Sequence, residues 1–266
     1  MKKEKTLFGS IIDEGEKPTE EEIKRRRQRF ATHSAETSTQ VSPRDLSQPI
    51  VGTCCKLEKS YFRLTSEVDP SKIRPEPVLK EALHRLKKIW KKEDRKTYVM
   101  DQLKAIRQDL VVQDINNEFT VQVYEFNVKC AIVCNDLNEL NQCQSMLSKL
   151  YKTIPSPKSL RFLSYNILYD VIMNNTLDIH HHLVVAQHHI TERCIQHALL
   201  VVEAVRSVDY LYYLKLMETA PKYGRVLMQL YLPTIRRHAL KIFLSSLFPS
   251  IEVAQLAVII LWFQLM

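Results

Sequence analysis

Five histidines crowd positions 180–189, three as His180, His181 and His182 and two as His188 and His189, and neutral imidazole is the commonest metal ligand among side chains. On a helix His181 and His188 share a face two turns apart, as do His182 and His189. A catalytic zinc or iron centre would still need an Asp, Glu or Cys to complete an open coordination sphere, and the surrounding residues offer none at ligand spacing. The cluster therefore reads as a polar inter-helix face, and a histidine-dependent metal hydrolase is the weakest functional reading. Cys130 and Cys134 sit one helical turn apart, with Cys143 further on. Neither a fourth ligand nor a knuckle spacing accompanies them, so they read as packed core thiols.

Arg107, Gln108 and Asp109 form the other charged constellation. Arg107 falls at the border of an apolar helix face, which suits charge-assisted hydrogen bonds between helices better than proton transfer. No nucleophile stands on a Gly-flanked elbow, and no pair of carboxylates stands out. The four glycines, Gly9, Gly15, Gly52 and Gly224, leave no place for a phosphate loop or dinucleotide fingerprint. The sequence therefore predicts no enzyme, no metal, no cofactor and no small-molecule substrate.

What it offers instead is positive charge. With 38 Lys and Arg against 30 Asp and Glu, the formal net charge is +8 and the pI is about 9.1, which points to an acidic partner, nucleic acid first. Lys24, Arg25, Arg26, Arg27 and Arg29 follow Glu20, Glu21 and Glu22. They serve either as a nuclear-import or nucleic-acid tether or as a short solvated helix neutralised by those acids. Lys87, Lys88, Lys91, Lys92 and Arg95 crowd a helix opposite Leu79, Leu83, Leu86 and Trp90, and Arg236, Arg237 and Lys241 share a later one. These two groups are the candidate nucleic-acid contacts.

The elements that must position these residues are helices. Positions 98–151 contain neither Gly nor Pro, so nothing interrupts backbone hydrogen bonding there. Val99, Leu103, Ile106 and Leu110 line one helix face, leaving Asp101, Gln102, Lys104, Gln108 and Asp109 on the remainder. Phe119, Val121 and Val123 alternate like a strand, yet Phe119, Val123, Phe126, Cys130 and Cys134 step like a helix, and length favours the helix. Asp136 with Glu139 three residues on predicts a capping box before a helix lined by Leu137, Leu140, Leu147 and Leu150. Beyond Pro155 and Pro157, helices are predicted over 158–174, 177–189, 191–205, 209–218, 222–231 and, past Pro233, 234–247, with a final apolar segment over 251–263. Pro70, Pro75 and Pro77 predict an extended strap over 51–77, before a basic helix over 78–96. The polar residues 1–50 read as a disordered tail. No apolar run has signal-peptide or membrane-span length and the cysteines are scattered, which predicts a chain neither secreted nor membrane-spanning, in a reducing compartment.

Three blocks in this stretch, KAIRQDLVVQ (104–113), FTVQVYE (119–125) and ELNQCQSMLSKLY (139–151), with GTCCKLEKSYFRLTSEVDPSKIRPEPVL (52–79) ahead of them, resemble signature blocks of the Sac-three/GANP family. The wording is nearest to the branch of the leukocyte-receptor-cluster member and its fungal splicing-associated counterpart. Arg107, Gln108, Asp109, Tyr124, Glu125, Asn141 and Gln142 lie in those blocks as structural motif residues. The resemblance covers about 51–248. It implies an all-α fold: an α-solenoid of TPR-like helical repeats over 78–232, leading into a PCI-type winged helix over 233–266 that is incomplete because the chain stops at Met266.

The resemblance also implies a function. The expected protein is a non-enzymatic scaffold subunit of a nuclear, TREX-two-like PCI complex that couples transcription to mRNA processing, splicing and export. Its expected partners are a second PCI-domain protein, a small acidic Sem/Dss-type subunit and RNA, with no membrane. The alternative is a cytosolic helical-repeat adaptor that binds a protein partner without nucleic acid.

Overall fold

Side chains at the helix ends set the boundaries of this fold. The computed structural model describes residues 50–62, 68–92 and 95–246. Pro75 precedes helix α1 (Glu76–Lys91), and Pro77 sits in its first turn, where a missing N–H costs nothing. Lys88 and Lys91 occupy its last turn, where cations complement the carbonyl end of the helix dipole. The basic helix predicted over 78–96 thus ends early, at Lys91, and Lys96 already opens the next helix, α2 (Lys96–Val112). Helix α3 (Glu118–Cys134) is capped by the Asn117 side chain, which accepts from Thr120 N–H at 3.1 Å. It ends on Asn135 in the left-handed region at φ 58, a conformation asparagine tolerates well. Asp136 caps α4 (Leu137–Leu150) by accepting from Glu139 N–H at 2.9 Å, but the predicted capping box is only half formed, because Asp136 N–H donates to Ala131 O and the Glu139 carboxylate takes Arg107 and Asn127.

Helix α5 (Ser159–Met173) likewise ends on a left-handed asparagine, Asn174 at φ 52. Then come α6 (Thr176–Ala186), α7 (Arg193–Arg206), α8 (Tyr210–Thr219) and α9 (Lys222–Ser246). A 3-10 turn over Gln187–His189 shortens the helix predicted over 177–189. Pro233 does not divide α9, contrary to the two helices predicted there. Leu227 and Met228 before it and Ile235 and Ala239 after it are all buried, and burying them on both sides offsets the roughly 3 kcal/mol that an interior proline costs.

Among the described residues there are nine α-helices and no strand, so the fold is all-α. Helices α1 to α4 pack each on the next. Helix α5 then packs against α6, α7 and α9, and α9 also reaches α3. The core is continuous through Leu79, Leu103, Val123, Leu147, Phe162, Ile195 and Leu227. The polar tail (all but Ile50), the basic run at 24–29, the apolar segment at 251–263 and the rest of 247–266 lie outside the described residues, while residues 233–246 of the winged-helix start expected over 233–266 continue α9.

Ahead of α1 the strap doubles back on itself. Thr53 N–H donates to Pro70 O at 3.0 Å and Cys54 N–H to Ile73 O at 2.9 Å, around a 3-10 turn at Pro70–Lys72. Gly52 is required where the two limbs meet, because a Cβ there would lie 2.3 Å from Ile73 O.

Candidate functional site

The polar side of α2 faces the strap, not solvent. Asp109 is 0% exposed and takes Lys59 Nζ at 2.5 Å and Arg74 Nε at 2.6 Å. Arg74, itself fully buried, donates through Nη1 to Leu57 O at 2.9 Å. Gln113 accepts from Gly52 N–H at 2.9 Å and donates to Arg74 O at 2.8 Å, while Gln102 accepts from Lys59 N–H at 3.1 Å and Gln108 donates to Phe62 O at 2.6 Å. Gln102, Asp109 and Gln113 are buried in consequence. Placing Gln102, Gln108 and Asp109 on the polar remainder of the helix read the periodicity correctly but missed the second layer that covers it. Two charge-assisted bonds to one buried carboxylate make this junction rigid.

Arg107 of the same motif points the other way. It is hydrogen-bonded to the buried Glu139 of α4 and lies 5.6 Å from the Tyr124 ring centroid on α3. Asn127 Nδ2 donates to Glu139 Oε1 at 3.1 Å. The RQD motif thus divides its labour, Gln108 and Asp109 holding the strap and Arg107 holding α3 and α4. Burial raises the Tyr124 hydroxyl above its ordinary pKa and pushes the Cys143 thiol up to about 12, so this corner stays protonated and inert. Asn141 and Gln142 are exposed on α4, and Gln144, outside the motif set, is the amide that α4 buries.

Glu125 forms a third junction. It accepts from Lys158 Nζ at 3.0 Å, Ser156 Oγ at 3.0 Å and Tyr151 O–H at 3.3 Å, tying α3 to the α4–α5 connection. The candidate nucleic-acid residues lie around and away from it. Lys87 is half-buried on α1, and Lys88, Lys91, Lys92 and Arg95 are exposed. Arg236 donates to Tyr210 O–H at 2.9 Å, and Arg237 and Lys241 are exposed on α9. Helix α1 packs on α2 whereas α9 packs on α5, α8 and α3, so the two basic groups are not brought together.

The histidine cluster is spread out. His180, His181 and His188 are exposed, and His182 Nδ1 lies 2.6 Å from Oδ2 of the buried Asp170 on α5. An acid thus does approach one histidine, from a preceding helix that local spacing could not reveal. Among the described residues no three His, Cys, Asp or Glu side chains gather as metal ligands. Cys130 and Cys143 are buried, and burial raises the Cys130 thiol far above its usual value. None of the described helices is long and apolar enough to cross a membrane.

A family model described as the SAC3/GANP family matches residues 18–264. A THP3 homolog of Schizosaccharomyces pombe is 36% identical over 264 residues, covering 96% of this chain and 66% of that protein. The SAC3 family protein A of Arabidopsis thaliana is 38% identical over 212 residues, 77% of this chain but 20% of that protein. The leukocyte receptor cluster member 8 homolog of Xenopus laevis is 36% identical over 210 residues, 77% of this chain and 26% of its own length. This chain therefore spans between a fifth and two thirds of the length of these relatives.

Proposed function

This chain belongs to the SAC3/GANP family, and on that premise we propose that it is a non-catalytic scaffold subunit of a nuclear PCI-type complex, TREX-two-like, in mRNA processing, splicing and export. In that complex it pairs with a second PCI-domain protein and a small acidic Sem/Dss-type subunit, and its basic surface contacts RNA. The observation that carries this reading is the use made of the family blocks: their charged residues are consumed in fixing helix to helix and strap to helix. A frame fixed in this way presents surfaces and has its reactive-looking groups already paired. The exposed lysines of α1 and the net charge of +8 supply attraction to anionic partners, which acts mainly on association rate and salt sensitivity.

Affinity purification of the tagged chain from nuclear extract tests the proposal. The expected result is stoichiometric recovery of a PCI-domain protein together with a small acidic subunit. One observation favours the cytosolic adaptor instead: Leu177 is 82% exposed, and Val184 and Ile190 also reach solvent on and after α6, as a protein-docking face would. Recovery of protein clients from cytosol without any PCI-domain protein, and no binding of single-stranded RNA at low salt, would select the adaptor.

A further inference from the structure

Lys87, Lys129 and Lys158 interact with the Glu125 carboxylate and Arg161 with Lys129, four cations from three helices and one loop against a single carboxylate. Lys87 comes from α1, Lys129 from α3, Lys158 from the α4–α5 connection and Arg161 from α5. Only Lys158 is hydrogen-bonded to Glu125. Lys87 Nζ lies 5.8 Å from the Phe126 ring centroid and Lys129 Nζ 5.8 Å from that of Phe162, so both ammoniums are held over aromatic faces. Burial lowers the pKa of Lys87 and Lys158 lowers it further, while the Glu125 charge raises it. Burial also lowers that of Lys129; the Glu125 charge opposes this, and Lys158, Arg161 and Lys87 add to the lowering. Lys87 and Lys129 are thus partly desolvated, and the four cations share the single Glu125 carboxylate.

Lys87, alone of the four, also lines a cleft between α1 and α3. Its volume of about 530 Å³ is within the range of small-ligand sites. Lys80 and Lys87 line it with His84, Asn117 and Gln122, and Glu118 and Glu76, the latter paired with Lys80 at 2.8 Å, also reach it. A chain of carboxylates would meet repulsion from Glu118, Glu76 being paired with Lys80. A nucleotide strand would not, because it alternates an anionic phosphate with a neutral base whose amino groups donate to carboxylates and amides.

We propose that Lys87, Lys129, Lys158 and Arg161 form a subsite for one phosphodiester of single-stranded RNA, with the adjoining nucleoside in the cleft between α1 and α3. The subsite rests on the RNA-contacting part of the function proposed above and gives it a location, distinct from the exposed lysines further along α1. The three side chains not bonded to Glu125 serve the ligand, and Lys158 serves both.

Fluorescence anisotropy of the full chain with labelled oligocytidylate across a salt series tests this. The triple variant Lys87→Gln, Lys129→Gln, Arg161→Gln should bind more weakly, with a log–log salt slope shallower by about 0.7, the contribution of one single-strand phosphate contact. A control triple on α7 to α9, Arg193→Gln, Lys215→Gln, Lys222→Gln, should keep the wild-type slope. If circular dichroism shows the first triple misfolded, Lys129→Gln alone should weaken binding and Lys129→Arg should restore it. Equal binding by wild type and the folded variant would overturn the subsite and leave the RNA reading standing. No binding by the wild-type chain at low salt would overturn both. Polyglutamate that competes as well as RNA, and loses its hold on the variant, would reassign the site to an acidic peptide.

Discussion

Asp109, Glu125 and Glu139 are buried carboxylates, each fixed by a cation from another element, and all three lie between the strap and the start of α5. From α5 onward the interior is built mainly of rings and aliphatic side chains: Phe162 against Tyr165, Tyr165 against Tyr223, Tyr213 against Tyr231, with Ile195, Ala198 and Val201 between them. The one buried acid there among the described residues, Asp170, is met by a histidine, His182. Apolar packing tolerates exchange of one shape for another, whereas a buried charge tolerates only its partner. The amino-terminal half therefore has its register dictated, and the carboxy-terminal half has it selected by volume.

The contrast can be broken by mutation. Asp109→Ala strands Lys59 and Arg74 together, so a loss of about 3–5 kcal/mol in urea unfolding is expected; a loss below 1 kcal/mol would erase the distinction between the halves. Leu147→Ala, an apolar truncation in the charge-fixed half, should cost about 2–5 kcal/mol, and a cost well under 1 kcal/mol would show that this half does not depend on its apolar face. In the ring-packed half Tyr213→Phe removes the hydroxyl that donates to Met228 O at 2.9 Å and should cost only about 1 kcal/mol, because the ring remains. Smallest is a gain. Val208 sits at φ 56 between α7 and α8, and Val208→Gly relieves about 1–2 kcal/mol of left-handed strain against about 0.5–1 kcal/mol of glycine entropy. A slightly higher melting temperature is expected, and a lower one would show the turn to be unstrained.

The same contrast explains what the sequence disclosed. Helices with one apolar face were visible from spacing, as Leu79, Leu83 and Leu86 or Leu140 and Leu147 attest, and so was the Asp136 cap. Neither burial of Asp109 nor the role of Arg74 could be read locally, since periodicity describes one element and this junction joins residues 35 positions apart. Lys129, Lys158 and Arg161 were passed over for the same reason: each is unremarkable on its own segment, and only packing gathers them. Pro233 misled because a local cost was weighed without the burial on either side of it.

The strap's junctions also bear on how the chain is made. Its bonds to α2 span from 35 to 61 positions. At about 5–20 residues per second a ribosome releases Lys59 and Arg74 several seconds before the carboxylate that holds them. This junction therefore stays open for seconds during translation, and no amino-terminal fragment ending before residue 109 can close it.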